Sequence, residues 1–525
     1  MNISSYIQKK GFQYLLIFLF GILIYLPSLN VKFVNDEIAF ISRNQAENFS
    51  ELISLFDKKD YDGEYYRPFP NFISGITTLL FNYNVVSYRI FNILLHSFAA
   101  VLVFLFCCEL LKNHQSKKII SLFAALFFIA FPIHDYAVIW HTDMFDRIML
   151  IFFLAALNSF LKNDFKPTFI SLFIFSLSLL SKEMAFSFPI IIFCLTFFLY
   201  QEKFNFKKSL LNALPFLAIS AAFILLRIIL FSNNIFTAAD AHSGASIFTV
   251  IKNYILFGGL LGFPFYLREI EEFILQYKLI FFLSGGLIFI LIIYYFIKNR
   301  RKDYALIFFI LFIVITIAPA SRLFMRWYLY LPSVGFTAAL AYFLFTLNIK
   351  KYLAVGLASA ILIIYSVSII NKELKWVECS NKADMLMQNL VDEYKDEIIK
   401  NGVEFLTIPA KINDVPVFHL GFNFHLNYYL NQKIDDKLTI DSRSSLTSFE
   451  DSIKIEKIDE EYFLEHSGDN YFILFDNQKN IKFHERNKQD LRIHSINIST
   501  EEENKILFTF SKGRFILLSA PPGIE

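Results

Sequence analysis

Cysteine is nearly absent. Cys107, Cys108, Cys194 and Cys379 are the only four in 525 residues. Three fall in apolar runs and one near a hydrophilic stretch, so neither a disulfide framework nor a zinc site is indicated. A surplus of one charge is missing too. The formal net charge is +2, which leaves no electrostatic footprint for nucleic acid. No helical repeat of roughly 34 residues recurs, and there is no low-complexity tract. The first apolar run follows Lys9 and Lys10, ends in Pro27-Ser28-Leu29 and has no small-x-small cleavage site. It reads as a retained span rather than a removed leader.

What is present is apolar bulk. The chain is 55% hydrophobic and carries 65 phenylalanines, with a mean hydropathy of +0.48. Soluble proteins sit nearer roughly 45–50% apolar. The sequence is that of a polytopic membrane protein with an all-α core. Apolar runs place spans near 12–30, 87–111, 117–133, 146–161, 167–181, 184–200, 209–231, 278–297, 304–320, 327–347 and 352–370. The Lys/Arg clusters at Lys9-Lys10, Lys117-Lys118, Lys207-Lys208, Arg300-Arg301 and Lys350-Lys351 mark the cytoplasmic side. A crossing at 248–267 would strand Arg300-Arg301 outside. That run, interrupted by Gly258-Gly259, Gly262 and Pro264, is therefore expected to be interfacial or re-entrant. The expectation is about eleven crossings of the cell (inner) membrane, with the N-terminus cytoplasmic.

After Ile370 the composition changes. The expected layout is a transmembrane core over 1–370, with 31–86 as its first outer loop, and a charged helical connector over 371–400. A small extracytoplasmic domain, α+β or mostly β, follows over 401–525. Its strand-like runs are 404–408, 471–475 and 505–510.

On this topology the polar motifs collect on one side. Asp36-Glu37 sits just past the first span. Neighbouring helical side chains diverge by about 100°, so the two carboxylates cannot aim at one atom. One can act as a base while the other orients it, and an acidic helix end in water is the bland alternative. In Tyr65-Tyr66-Arg67-Pro68-Phe69, Pro68 can open a helix, and the Arg67 fork matches phosphate oxygens. His96 lies inside the second span, where a lone histidine commonly hydrogen-bonds between helices. It is also kept among the candidate donor-binding residues. His134-Asp135 and His141 to Arg147 form a second knot. His134 and Asp135 can hold a divalent cation, and the knot can equally be a hydrogen-bond network. Asp146 opens a span and should face the bundle, since a carboxylate in hydrocarbon is costly. Ser181-Lys182-Glu183 places a cation and an anion in a turn, where Lys182 can neutralise a phosphate. Arg322, Arg326, Tyr328 and Tyr330 make the last knot.

The ordered set Asn35-Asp36-Glu37, Tyr66-Arg67-Pro68, Leu95-His96, Pro132-Ile133-His134, Leu180-Ser181-Lys182-Glu183 and Tyr328-Leu329-Tyr330-Leu331-Pro332 resembles the GT-C superfamily of membrane glycosyltransferases. Within it the chain is similar to the branch holding the transmembrane-and-tetratricopeptide O-mannosyltransferases and their bacterial relatives, over roughly residues 10–390. The resemblance implies an inverting transfer from a polyprenyl-phosphate-linked sugar to a glycan, lipid or protein acceptor. It places Asp36, Glu37 and Asp146 in catalytic positions, and Arg67, Lys182, Glu183, Arg326 and His96 at the donor. No cofactor is firmly implied beyond the divalent-cation option. There are departures. Phe131 replaces a histidine, Tyr136 stands where a glutamate is usual, Arg326-Trp327 replaces Glu-Arg, and the repeat-bearing tail is absent. A transporter of lipid-linked sugar and a non-catalytic glycan-assembly protein are the rival readings.

Overall fold

Long unbroken runs of Leu, Ile and Phe fold as helices here, as backbone polar groups in hydrocarbon require. The computed structural model describes residues 10–57, 66–200, 204–231, 246–264, 303–458, 461–466, 471–474, 481–483, 495–499 and 505–519. The expected span at 278–297 lies outside the described residues, as does Tyr65. The helices are α1 Lys10–Ile24, α2 Glu37–Arg43, α3 Phe49–Ser54, α4 Pro68–Phe81, α5 Val85–Leu110, α6 Lys117–Ala130, α7 His134–Ile139 and α8 Met144–Lys162. There follow α9 Phe169–Leu179, α10 Phe188–Leu199, α11 Phe206–Phe231, α12 Ile247–Gly262, α13 Tyr304–Ile317, α14 Pro332–Thr346, α15 Lys351–Asn401 and α16 Phe422–Leu430.

The chain divides into two units. The first comprises Met1–Leu26, Ala46–Phe81 and Ser87–Lys372. Here α8 packs on α9, α6 on both α14 and α1, α10 on α11 and α13, and α13 on α14. Phenylalanine fills much of the space. Phe153 meets Phe188 edge-on at 4.8 Å, and Phe188 stacks on Phe175 at 4.7 Å. Gly335 lets α14 approach closely, because a Cβ there would lie 2.9–3.0 Å from Phe312, Ile313 and the Phe309 carbonyl. Phe169 and Ile229 turn outward at 82% and 77% exposure, as side chains facing lipid would.

Among the described residues, four helices are long and apolar enough to cross a membrane: Val85–Leu110, His141–Lys162, Phe206–Leu230 and Lys351–Asn401. Six others are apolar but shorter, among them Gly11–Ile24 and Phe169–Leu179. The structure thus supports a membrane protein without fixing about eleven crossings. Within the run at 248–267, Ile247–Gly262 form one 16-residue helix, and 265–267 lie outside the described residues. At about 1.5 Å per residue the helix is shorter than a bilayer core of about 30 Å.

The second unit comprises Pro27–Gln45, Asn82–Val86 and Glu373–Glu525. Its strands are β1 Val403–Phe405, β2 Ile408–Ile412, β3 Val415–Pro416, β4 Leu438–Ile440, β5 Ser442–Leu446, β6 Ile453–Ile458, β7 Glu461–His466, β8 Tyr471–Leu474, β9 Ile481–Phe483, β10 Ser495–Ser499, β11 Ile506–Ser511 and β12 Arg514–Ser519. They form sheets ordered β12-β11-β1-β4, β3-β2-β5-β8 and β6-β7-β10-β9. Strand β1 runs parallel to both β11 and β4. Every residue of β11 is buried, the continuous pattern of a strand covered on both faces. Phe405 meets Phe422 of α16 at 5.0 Å and Phe508 at 5.7 Å. This unit is α+β, with helix and strand sharing one core.

Candidate functional site

In the first unit, α9 ends at Leu179 and α10 begins at Phe188. Between them Lys182 is extended (φ −163°, ψ 148°) and is followed by a 3-10 turn over Glu183–Ser187. The Lys182 N–H still donates to the Ser178 carbonyl at 3.2 Å, and the extended backbone turns the side chain toward the start of α8. There its ammonium donates a hydrogen bond to Asp146 Oδ2 and lies 3.7 Å from Asp143 Oδ1. All three side chains are buried, at 2–4% exposure. Burial of this kind is tolerable only because the charges are paired. The Lys182 ammonium also lies 5.1 Å from the centroid of the Tyr328 ring. The electrostatic neighbours of the Tyr328 phenol are Arg67, Asp146, Glu183 and Asp143, which places these motifs around one ring.

Arg67 reaches the same turn from the other direction. Pro68 opens α4, and the Phe69 N–H donates to the Leu180 carbonyl at 3.3 Å. Arg67 Nη2 and Nε then donate to Glu183 Oε2 at 2.9 and 3.2 Å. Arg227 of α11 donates to the other oxygen, Oε1, at 3.1 Å. Two guanidiniums on one carboxylate give a fixed cationic group with donors in planar forks. Arg67, Asp146, Lys182 and Glu183 come from three separate sequence motifs and meet in this cluster.

The other polar residues are engaged elsewhere in this unit. Arg326 pairs with Asp135 at 3.4 Å and lies over the Tyr136 ring at 5.0 Å. His134 Nε2 is 2.9 Å from Ser333 Oγ. His96 Nε2 faces the Ile129 carbonyl at 3.3 Å and must donate to it; its Nδ1 then accepts from the Tyr330 hydroxyl at 2.8 Å. His134 and Asp135 thus turn to different partners. Among the described residues no group of three or more His, Cys, Asp or Glu side chains is arranged to hold a metal ion. Arg322 is exposed.

The second unit holds the other acidic motif. Asp36 occupies the position before α2, but its carboxylate makes no capping hydrogen bond to the helix. Glu37 does the local work: its Oε2 accepts the Val34 N–H at 2.9 Å. Both residues are buried, at 5% and 0% exposure. The preceding Asn35 is clasped by residues 417–425, including His425, whose Nε2 donates to the Asn35 carbonyl at 2.9 Å. Burial lowers the His425 pKa to about 4, against the opposing pull of that hydrogen bond. The unfolded value is about 6.5, so the native state binds fewer protons. The stabilisation is full above pH 6.5 and is lost as pH falls toward 4, by about 2 kcal/mol at pH 5. His419, also lowered to about 4 by burial, acts in the same sense. Thermal unfolding of the full chain in detergent, followed from pH 7.5 to 5, should show this loss, and His425→Gln should flatten it.

Some site residues carry a signal that pattern reading passed over. Arg227 stands alone in Leu225-Leu226-Arg227-Ile228, and an ionisable residue in an apolar span is a functional candidate by default. Arg89 and Arg147 are fully buried. Arg89 donates to the Ile139 carbonyl at 2.7 Å, and Arg147 donates to Asn92 Oδ1 at 2.8 Å and to the Ala137 carbonyl. They fix the loop that delivers Asp143 and Asp146. Asp143, within the knot from His141 to Arg147, lies beside Lys182.

No family model matches the chain. It is similar to a protein O-mannosyl-transferase, F38B6.6 of Caenorhabditis elegans, with 30% identity over 224 residues, covering 40% of this chain and 32% of the relative. Protein O-mannosyl-transferase TMTC3 matches at 27% identity over 175 residues in both mouse and human. That match covers 30% of this chain and 18% and 19% of those proteins, respectively. The chain therefore spans a third or less of the length of these curated relatives.

Proposed function

We propose that the chain is an integral-membrane glycosyltransferase that moves a sugar from a polyprenyl phosphate to an acceptor hydroxyl on the non-cytoplasmic side, with inversion. The observation that carries this reading is the buried Asp143–Lys182–Asp146 group beside Arg67–Glu183–Arg227, at the ends of apolar helices. Fixed cations in a dry setting are what a departing phosphate needs. The similarity to proteins named O-mannosyl-transferases supports the same class.

In the proposed reaction the acceptor oxygen bonds to the anomeric carbon as the carbon–oxygen bond to phosphate breaks. The electron pair leaves with the phosphate, whose charge Lys182 and Arg67 offset. The acceptor proton passes to Asp36, the base that the first-loop motif suggests. Arg326 and His96 remain candidates for holding the donor. The C-terminal domain is proposed to be extracytoplasmic. The test is mass spectrometry of surface glycans and glycoproteins in cells whose only copy is wild type or Asp36→Asn. Loss of one sugar would name donor and acceptor class together. An unchanged glycan profile at equal protein level would sink the base assignment.

A further inference from the structure

We infer that residues 417–425 of the C-terminal domain are the positioning element for Asp36, acting through Asn35; this rests on the base assignment proposed above. Asn35 has φ 56°, in the left-handed region that asparagine tolerates better than most residues. One segment binds it at three points. The Asn35 N–H donates to the Val417 carbonyl at 2.7 Å. Its Oδ1 accepts the Leu420 N–H at 2.7 Å. Its carbonyl accepts from His425 Nε2 at 2.9 Å. Holding the amide, carbonyl and side chain of one residue fixes the torsions on both sides of its Cα, and so the direction in which Asp36 leaves.

Gly421 completes the clasp. Its φ is +72°, and a Cβ there would sit 3.0 Å from both the Asn35 oxygen and the Asp36 Cα. Any other L residue would therefore be strained and would push on Asp36 itself. The flanks are tied to the same unit. The Ser28 N–H donates to Glu373 at 3.1 Å, and the Lys32 N–H to Ser380 at 3.1 Å. Helix α2 packs on α16, with the Arg43 guanidinium 5.2 Å from the Phe424 ring centroid. The domain is thereby part of the machinery that aims the carboxylate. A misplacement of about 1 Å in such a group costs about 10²-fold in rate.

The test uses the full-length chain as the only copy in cells, with the glycan lost in Asp36→Asn as the activity readout. It adds amide hydrogen exchange at residues 35–40 and 417–425 of purified protein in detergent. His425→Ala should cut the glycan at least 10-fold at equal protein level and speed exchange at Asn35 and Leu420. His425→Gln, which can still present an N–H to the Asn35 carbonyl, should restore both. Gly421→Ala should behave as His425→Ala; if it fails to accumulate, the His425 pair decides alone. Wild-type glycan in His425→Ala, with loss in Asp36→Asn, would overturn the positioning role and leave the enzyme reading standing. An unchanged glycan in Asp36→Asn would overturn the reading beneath it.

Discussion

Lys182→Met is expected to lower sugar transfer by at least about 10²–10³-fold, the usual loss when one fixed electrostatic stabiliser of a developing charge is removed. It should also destabilise the protein by about 3–5 kcal/mol, because a buried pair is being broken from one side. Asp146 and Asp143 are both at most 4% exposed, and methionine leaves them facing each other without the ammonium between them. The two effects can be separated. Lys182→Met combined with Asp146→Asn removes the partner charge as well, so much of the lost stability should return while transfer does not. Thermal inactivation in detergent and glycan yield at equal protein level read the two quantities. If Lys182→Met retained more than a tenth of wild-type transfer, Lys182 would be a structural counter-ion. Lys182→Arg should fold yet transfer poorly, since a planar fork cannot reproduce a point charge between two carboxylates.

The motifs were readable because their physics is local. Pro68 announces a helix start, and Ser181-Lys182-Glu183 interrupts two apolar runs; each signal lies within a few residues. Among the described residues apolar helices stand where several spans are expected, but the ends of the helices were not readable. The first helix stops at Ile24 and hands over to a 3-10 turn at Leu26–Asn30, where Pro27 cannot extend an α-helical ladder. The run expected as one strand at 404–408 is two. Strand β1 ends at Phe405 and β2 begins at Ile408, and they join different sheets. Partners separated by hundreds of residues were not readable at all. Nothing near Asn35 points to Leu420 or His425, and nothing in the apolar run of α11 names Glu183 as the partner of Arg227. Such pairings depend on how helices and strands stack, which a single sequence does not encode locally.

Of the two adjacent carboxylates at the opening of α2, we propose that one is the base and the other a structural anchor. Asp36→Asn is expected to lower transfer by about 10²–10⁴-fold, the range for loss of a general base, with the near-isosteric amide preserving the fold. Glu37→Gln should do the reverse. Glu37 holds the Val34 N–H at 2.9 Å; glutamine keeps an acceptor oxygen there and loses only the charge, so stability should fall by about 1 kcal/mol with transfer reduced far less. Measuring unfolding and glycan yield for both variants, at equal protein level, checks the assignment. A collapse of transfer in Glu37→Gln with near-normal transfer in Asp36→Asn would exchange the two roles, making Glu37 the base and Asp36 the residue that orients it.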